Sequence, residues 1–292
     1  MEDKRRAIAF DATLLNALQR CPRMFMHQYI QNLRLIGENP EPLHRGILIH
    51  HFAEEYNKMK FAHRARHPHM IWAELEPKLT LDLLQKLELY ALTPEDYYWI
   101  LECFKEYTLK EVHYSVSSLP EQTVSKIIFE DEDYLVFWTG KIDIRVNGPG
   151  MDNVPLDYKS EKRRFEPDKK DNQFCGYAFV TDSTDLAVQK ISLQETKKYR
   201  THPFFHFSWA PGEIDEWVDN TIGVIKQYIF FRDSKWFPQH RVSCRAFNRP
   251  CSFTKLCESG TPQEKKRAAR ANYVIGEPWD ILQAKRKEEK NG

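Results

Sequence analysis

Apolar residues recur at helical spacing through the first 116 positions, and the period then changes. Residues 11–33, DATLLNALQRCPRMFMHQYIQNL, fit a helix with Asp11 or Thr13 as its cap, broken or kinked at Pro22. Residues 43–65, 70–92 and 94–116 continue the helical pattern. Residues 125–146, SKIIFEDEDYLVFWTGKIDIRV, are rich in β-branched and aromatic side chains and predict two strands joined by the acidic turn EDED. Along KIDIRV, Lys141, Asp143 and Arg145 share one face and Ile142, Ile144 and Val146 the other. After a turn at Gly148, Pro149 and Gly150, the strand VPLDYKS puts Asp157 and Lys159 on one face, because strand side chains alternate. A helix opened by Pro167 is expected over 166–182, strands in LAVQKISLQE and HPFFHFSWAP, and an amphipathic helix over 213–236. The order predicts a mixed α/β sheet core with a helical N-terminal region, and a linear division into 1–120, 121–240 and 241–292.

Composition changes this picture little. Of 292 residues, 41% are hydrophobic and 29% charged, ordinary values for a globular protein. No apolar run is long enough to span a bilayer, and the N-terminus lacks a signal-peptide core, so a cytoplasmic protein with no membrane partner is expected. The net charge of +1 does not by itself indicate a nucleic-acid binder. Charge is clustered, however, in KSEKRRF (159–165), DKKD (168–171), KKYR (197–200) and KKRAAR (265–270). Each cluster alone reads as a solvated face. No Gly-x4-Gly-Lys-Ser/Thr phosphate loop is present, so any coupled helicase would be a separate protein.

Cysteine usage adds a second feature. Cys244, Cys251 and Cys257 fall within CRAFNRPCSFTKLC, with six and five residues between them. Disulfides are not expected in a cytosolic chain, and such a cluster points to a metal centre or redox chemistry. The gaps are looser than the usual zinc pairs and suit an iron–sulfur cluster, which spacing alone does not establish. Cys103 and Cys175 have no partners in this pattern and are expected to be small buried side chains.

Two readings of Asp143, Asp157 and Lys159 stand side by side. One is a cross-strand charge network on an exposed sheet. The other is a hard-oxygen site for Mg²⁺ or Mn²⁺, in which two carboxylates and a backbone carbonyl hold the ion. Lys159 would then orient or deprotonate the attacking water, or neutralise charge in the transition state.

GKIDIRV followed by PLDYKS resembles the PD-(D/E)XK nucleases, with Asp143 as the first acid and Asp157-Tyr158-Lys159 as the acid-x-Lys element. RGILIHHFAEEY resembles the Gly-x3-His helix of the RecB-like branch, matching Gly46 and His50, with His51 as the neighbouring alternative. NQFCGYAF resembles the Gln-x3-Tyr element of that branch, matching Gln173 and Tyr177. LLNALQRCPRMFMHQYI and the C-terminal triplet resemble the cysteine segments of its iron–sulfur members, including stand-alone CRISPR-associated and phage exonucleases and the AddB nuclease domain. The first acid follows Ile142 rather than proline, a departure at a loose position.

The resemblance implies a restriction-endonuclease-like core. It implies a metal shell of His50, Asp143, Asp157 and the Tyr158 carbonyl, with Lys159, Gln173 and Tyr177 completing the catalytic set. It also implies a [4Fe-4S] cluster on Cys21, Cys244, Cys251 and Cys257, and DNA contacts from Lys162, Arg163 and Arg164. The expected activity is that of a DNA exonuclease acting on single strands or ends, working beside a helicase or recombination protein in a bacterial or phage-infected cell. The rival is a non-catalytic DNA-end-binding subunit of such a complex.

Overall fold

In a computed structural model, described for residues 5–37, 41–63, 67–82, 87, 92–110, 114–161, 166–210, 212–248 and 250–279, the elements run in chain order as follows. First come β1 (Arg6–Phe10), α1 (Ala12–Arg20), a short helix α2 (Pro22–Phe25) with a π-helical turn after it, β2 (Leu33–Leu35), α3 (Glu41–Ala62), α4 (Pro68–Leu81) and α5 (Pro94–Lys110). Next are β3 (Ser115–Val116), β4 (Gln122–Glu130), β5 (Tyr134–Ile142), β6 (Ile144–Gly148), β7 (Met151–Glu161), α6 (Asn172–Thr181), β8 (Asp185–Ser192) and β9 (Phe204–Ser208). α7 (Glu213–Asp233), a 3₁₀ segment Arg241–Asn248, α8 (Thr254–Glu258), α9 (Pro262–Asn272) and β10 (Tyr273–Ile275) complete the order. The architecture is mixed α/β, as the hydrophobic pattern predicted. Among the described residues no helix is long and apolar enough to cross a membrane.

The chain divides into two compact units that interleave in sequence. One comprises Pro40–Val124 and Gly140–Pro211, the other Met1–Asn39, Ser125–Thr139 and Gly212–Gly292. This partition differs from the linear one expected, because the segments that fold together are not contiguous.

The 40–124/140–211 unit is built on a five-stranded sheet of order β3-β6-β7-β8-β9. β7 and β8 are parallel, as a strand–helix–strand crossover through α6 requires, and the other pairs are antiparallel. One sheet face, carrying Val154, Leu156, Tyr158 and Ile191, packs with Leu48, Phe52 and Tyr56 of α3, Trp72 of α4 and Phe104 of α5 in a single buried cluster. This burial supplies the main stabilisation of the unit. It also fixes the register: the apolar alternation of β7 leaves Asp157 and Lys159 on the opposite face.

The other unit holds a three-stranded sheet of order β1-β5-β4, with β1 parallel to β5, and a small antiparallel pair β2–β10. Trp138 of β5 meets Trp217 of α7 edge-on, with ring centroids 4.9 Å apart. Asp11 caps α1 by accepting the Leu14 N–H at 2.7 Å. Pro22 ends α1 as the sequence predicted: the residue before a proline is driven to extended backbone, and Cys21 sits there at φ −167°, ψ 110°.

Two expected elements are corrected. α6 starts at Asn172 rather than near Pro167, because the Asp171 side chain takes the Gln173 N–H at 2.8 Å and caps the helix there. The pattern over 94–116 ends its helix at Lys110, and Ser115–Val116 pairs with β6 instead.

Candidate active site

β5 and β6 are one run of chain interrupted at Asp143, and the interruption is where the chemistry gathers. Asp143 Oδ1 lies 3.1 Å from His50 Nδ1 on α3. Its Oδ2 accepts the Tyr158 backbone N–H at 2.7 Å, and its carbonyl accepts the Glu121 N–H at 2.8 Å. Glu121 sits at φ +61°, a left-handed conformation uncommon for a non-glycine residue, which turns its carboxylate into the same space. Ligand atoms of His50, Glu121 and Asp143 all lie within 4.8 Å of one another.

Asp157, 1% exposed, stands beside this trio. Lys159 Nζ lies 2.9 Å from its Oδ2 and 2.7 Å from Gln173 Oε1. Gln173 Nε2 in turn donates to Asp157 Oδ1 at 2.9 Å. His50 rather than His51 therefore faces Asp143. Glu121 was not anticipated: it lies in SLPEQT, outside any periodic segment, and no local pattern marks it.

The electrostatics follow from three carboxylates confined with few cations. Burial drives the Asp157 carboxyl up, the Lys159 charge offsets part of this and the Asp143 charge adds to it, leaving it at about 6. Burial alone would lower the His50 imidazole; the charge of Asp143 and the hydrogen bond to it, with Asp157 and Glu121 behind, lift it to about 9. Asp143 is held low despite burial by His50 and the Tyr158 N–H. Glu121 is raised by burial and by Asp143, against an ion pair with Lys141.

This donor set suits a hard divalent cation. Asp157 Oδ2, although close to the Lys159 ammonium, receives no hydrogen bond of proper geometry and is buried. An ion seated there would occupy that lone pair. Because His50 is protonated below about 9, binding one Mn²⁺ at pH 7.5 will release about one proton, and affinity will rise roughly tenfold per pH unit between about 6 and 9. Below about 6 the Asp157 proton must be displaced as well, steepening the dependence. Calorimetric titration in buffers of different ionisation enthalpy counts these protons; no proton release at pH 7.5 would contradict the assigned shell.

A family model described as the PD-(D/E)XK nuclease superfamily matches residues 10–258. The chain belongs to the PD-(D/E)XK nuclease superfamily. No curated protein matches it. Among solved structures, one titled "Crystal structure of SSO0001" shares 12% identity at a TM-score of 0.31, with 57% of this chain and 72% of that chain covered. Lys162, Arg163 and Arg164 lie outside the described residues.

In this superfamily member the acid-x-Lys strand is braced from both faces. On the acidic side, Gln173 donates also to Tyr177 Oη at 2.9 Å, and that hydroxyl donates to the Lys141 carbonyl at 2.6 Å. Gln173 and Tyr177 are one helical turn apart, so both reach the same strands. Gly140 makes room for the tyrosine: a Cβ there would lie 2.9 Å from Tyr177 Cε1. Gly140→Ala is expected to destabilise the protein by about 1–3 kcal/mol and to displace the ring, an overpacking effect read by urea denaturation. An unchanged midpoint would show that the ring is not held as described. Gly46 is less constrained, since a Cβ there meets only Ser160 Oγ at 3.6 Å.

On the far face, Tyr158 Oη receives Asn57 Nδ2 at 3.0 Å and contacts Tyr114 Oη at 2.8 Å, which in turn contacts Tyr107 Oη at 2.5 Å. Asn57 lies about two turns beyond His50 on α3. The same helix thus fixes the histidine and anchors the strand whose backbone holds Asp143.

Four cysteines of the other unit line one small cavity: Cys21, Cys244, Cys251 and Cys257, with Met24 and Phe253. The Cys21 sulfur receives the His240 N–H at 3.4 Å, and the Cys251 N–H bonds the Cys244 carbonyl at 2.8 Å. Burial pushes the Cys257 thiol up to about 11. These sulfurs are not drawn together as tightly as the His50, Glu121 and Asp143 ligand atoms. Cys103 and Cys175 are buried elsewhere, 0% and 4% exposed.

Proposed function

We propose that this chain is a divalent-metal-dependent deoxyribonuclease of the RecB-like branch, acting as an exonuclease on single-stranded DNA or DNA ends. The observation that carries this reading is the meeting of His50, Glu121 and Asp143, their ligand atoms within 4.8 Å of one another, beside the buried Asp157 carboxylate that pairs with Lys159. His50, Glu121, Asp143, Asp157 and the Tyr158 carbonyl would hold Mg²⁺ or Mn²⁺, which supplies Lewis-acid polarisation of the phosphate and a water of lowered pKa. Lys159, kept charged by Asp157 and steered by Gln173, is placed to orient the attacking water and to neutralise the developing charge. Tyr177 locks Gln173, and so the ammonium, in position.

We further propose a [4Fe-4S] cluster on Cys21, Cys244, Cys251 and Cys257. Four thiols lining one cavity support it. A tetrahedral zinc with Zn–S near 2.3 Å needs sulfurs within about 4 Å of one another, a tighter set than these form. The role is structural, since phosphodiester hydrolysis moves no electrons. The cluster would tie the start of the chain to residues 244–257, and any helicase or recombination partner would be a separate protein.

The exonuclease assignment is tested on a labelled linear single strand and its circular form with Mg²⁺ present. Degradation of the linear strand alone is expected. Equal attack on the circle would make the enzyme an endonuclease, and tight binding of ends with no cleavage would favour the accessory end-binding role.

A further inference from the structure

The sheet face that carries Asp157 and Lys159 continues past them. In the parallel β7–β8 pair, Lys159 stands beside Lys190 and Glu161 beside Ser192, and residues so paired project to one side. Phe205 of β9 pairs with Val188 and shares that side. Glu161, Lys190, Ser192 and Phe205 line a cavity of about 610 Å³, together with Glu166 and Tyr199. It opens at the carboxyl ends of β7 and β8, the position where α/β sheets bind ligands. Lys190 is the neighbour of Lys159 on the adjacent strand, about 4.8 Å away across the sheet.

The cavity has the marks of a built site. Its volume falls in the range that takes a nucleotide-sized ligand. Lys190 is 3% exposed and ion-paired with Glu161. The loop that forms the rim is pinned from beneath. Arg200, buried, donates to the Gln194 carbonyl at 2.7 Å and to Glu106 at 3.2 Å, while its own N–H bonds the Lys197 carbonyl at 3.0 Å. Tyr199, directly before this anchor, is 57% exposed. A fixed loop holding an aromatic ring at the mouth of a cavity offers a stacking surface, and Lys198 Nζ, 4.8 Å from the centre of the Tyr199 ring, adds a cation beside it. The lining balances two carboxylates, Glu161 and Glu166, against Lys190 and Lys198, with Glu161 paired to Lys190, and this mixed charge offers both acceptors and donors to the polar edge of a base.

We propose that this cavity is a base-binding subsite for the nucleotide next to the scissile phosphate, with Tyr199 stacking on the base and the Glu161–Lys190 pair facing its polar edge. The proposal rests on the nuclease reading above.

The test is fluorescence anisotropy of a short labelled single strand with Ca²⁺ in place of Mg²⁺, using a series of strands that carry one abasic position each. In the unmodified protein one position is expected to weaken binding about tenfold when its base is removed, the size of one stacking contact. Tyr199→Ala should weaken the intact strand about tenfold and abolish the further effect of that abasic position. Tyr199→Phe should restore both, and unchanged thermal unfolding of Tyr199→Ala would exclude a folding defect. A flat abasic profile in a protein that binds and cleaves DNA, or a profile unaltered by Tyr199→Ala, overturns the subsite and leaves the nuclease reading intact. A protein that neither binds nor cleaves single strands overturns both.

Discussion

Asp143→Ala and Asp157→Ala will each lower DNA cleavage by at least about a thousandfold, roughly the effect of removing one ligand of a catalytic metal. The two losses differ in kind. Asp143 accepts from the Tyr158 backbone and faces His50, so its removal frees the strand as well as the shell. Asp157 holds Lys159 and Gln173, so its removal also leaves a half-buried ammonium without its counter-ion. Asp157→Asn separates charge from shape, since the amide keeps the volume of the carboxylate and loses its negative charge. It should retain the thermal midpoint more closely than Asp157→Ala and cleave no better. Steady-state cleavage of a labelled strand, with thermal unfolding alongside, reads both effects. Activity within about tenfold of the unmodified protein for either alanine variant would remove these carboxylates from the reaction.

The second large effect concerns the cysteines. Protein prepared anaerobically is expected to be brown and to hold about four irons per chain. Cys21→Ser, Cys244→Ser, Cys251→Ser and Cys257→Ser should each lose the colour and the iron. Each should also unfold on the order of 10 °C lower, because a cluster bound only by the folded chain contributes its binding free energy to folding. Cys103→Ser and Cys175→Ser should keep the iron. Elemental analysis decides the matter: stoichiometric zinc or no metal would contradict the cluster and leave the nuclease reading untouched, because the two rest on different residues.

Much of the architecture was legible because it follows from periodicity and capping. The period-two pattern of PLDYKS placed Asp157 and Lys159 together, and they lie 2.9 Å apart at their charged ends. The spacing of Gln173 and Tyr177 placed them on one helix face, and they are hydrogen-bonded. Glu121 was not legible, because its position depends on a left-handed backbone and on an N–H bonded to the Asp143 carbonyl far along the chain. Asn57 and Tyr114 were hidden for a similar reason: one lies on α3 and the other directly before β3, and they meet Tyr158 only in the folded chain. The start of α6 was misplaced because Pro167 is a visible helix signal and Asp171 the stronger one, its side chain capping the helix directly. The two interleaved units were not legible either, since hydrophobic pattern describes segments and not which segments fold together.

Lys159→Ala gives the most direct test of the site. It removes the one group assigned to the water and the phosphate while leaving His50, Glu121, Asp143 and Asp157 to hold the ion. Mn²⁺ binding and cleavage of a labelled single strand should be measured on the same preparations. The unmodified protein is expected to bind Mn²⁺, to cleave with Mn²⁺ or Mg²⁺ and to stop in excess chelator, while Lys159→Ala binds Mn²⁺ and cleaves at least about a hundredfold more slowly. Cleavage by Lys159→Ala at the unmodified rate, or undiminished cleavage in chelator, would contradict a metal-dependent reaction at this centre.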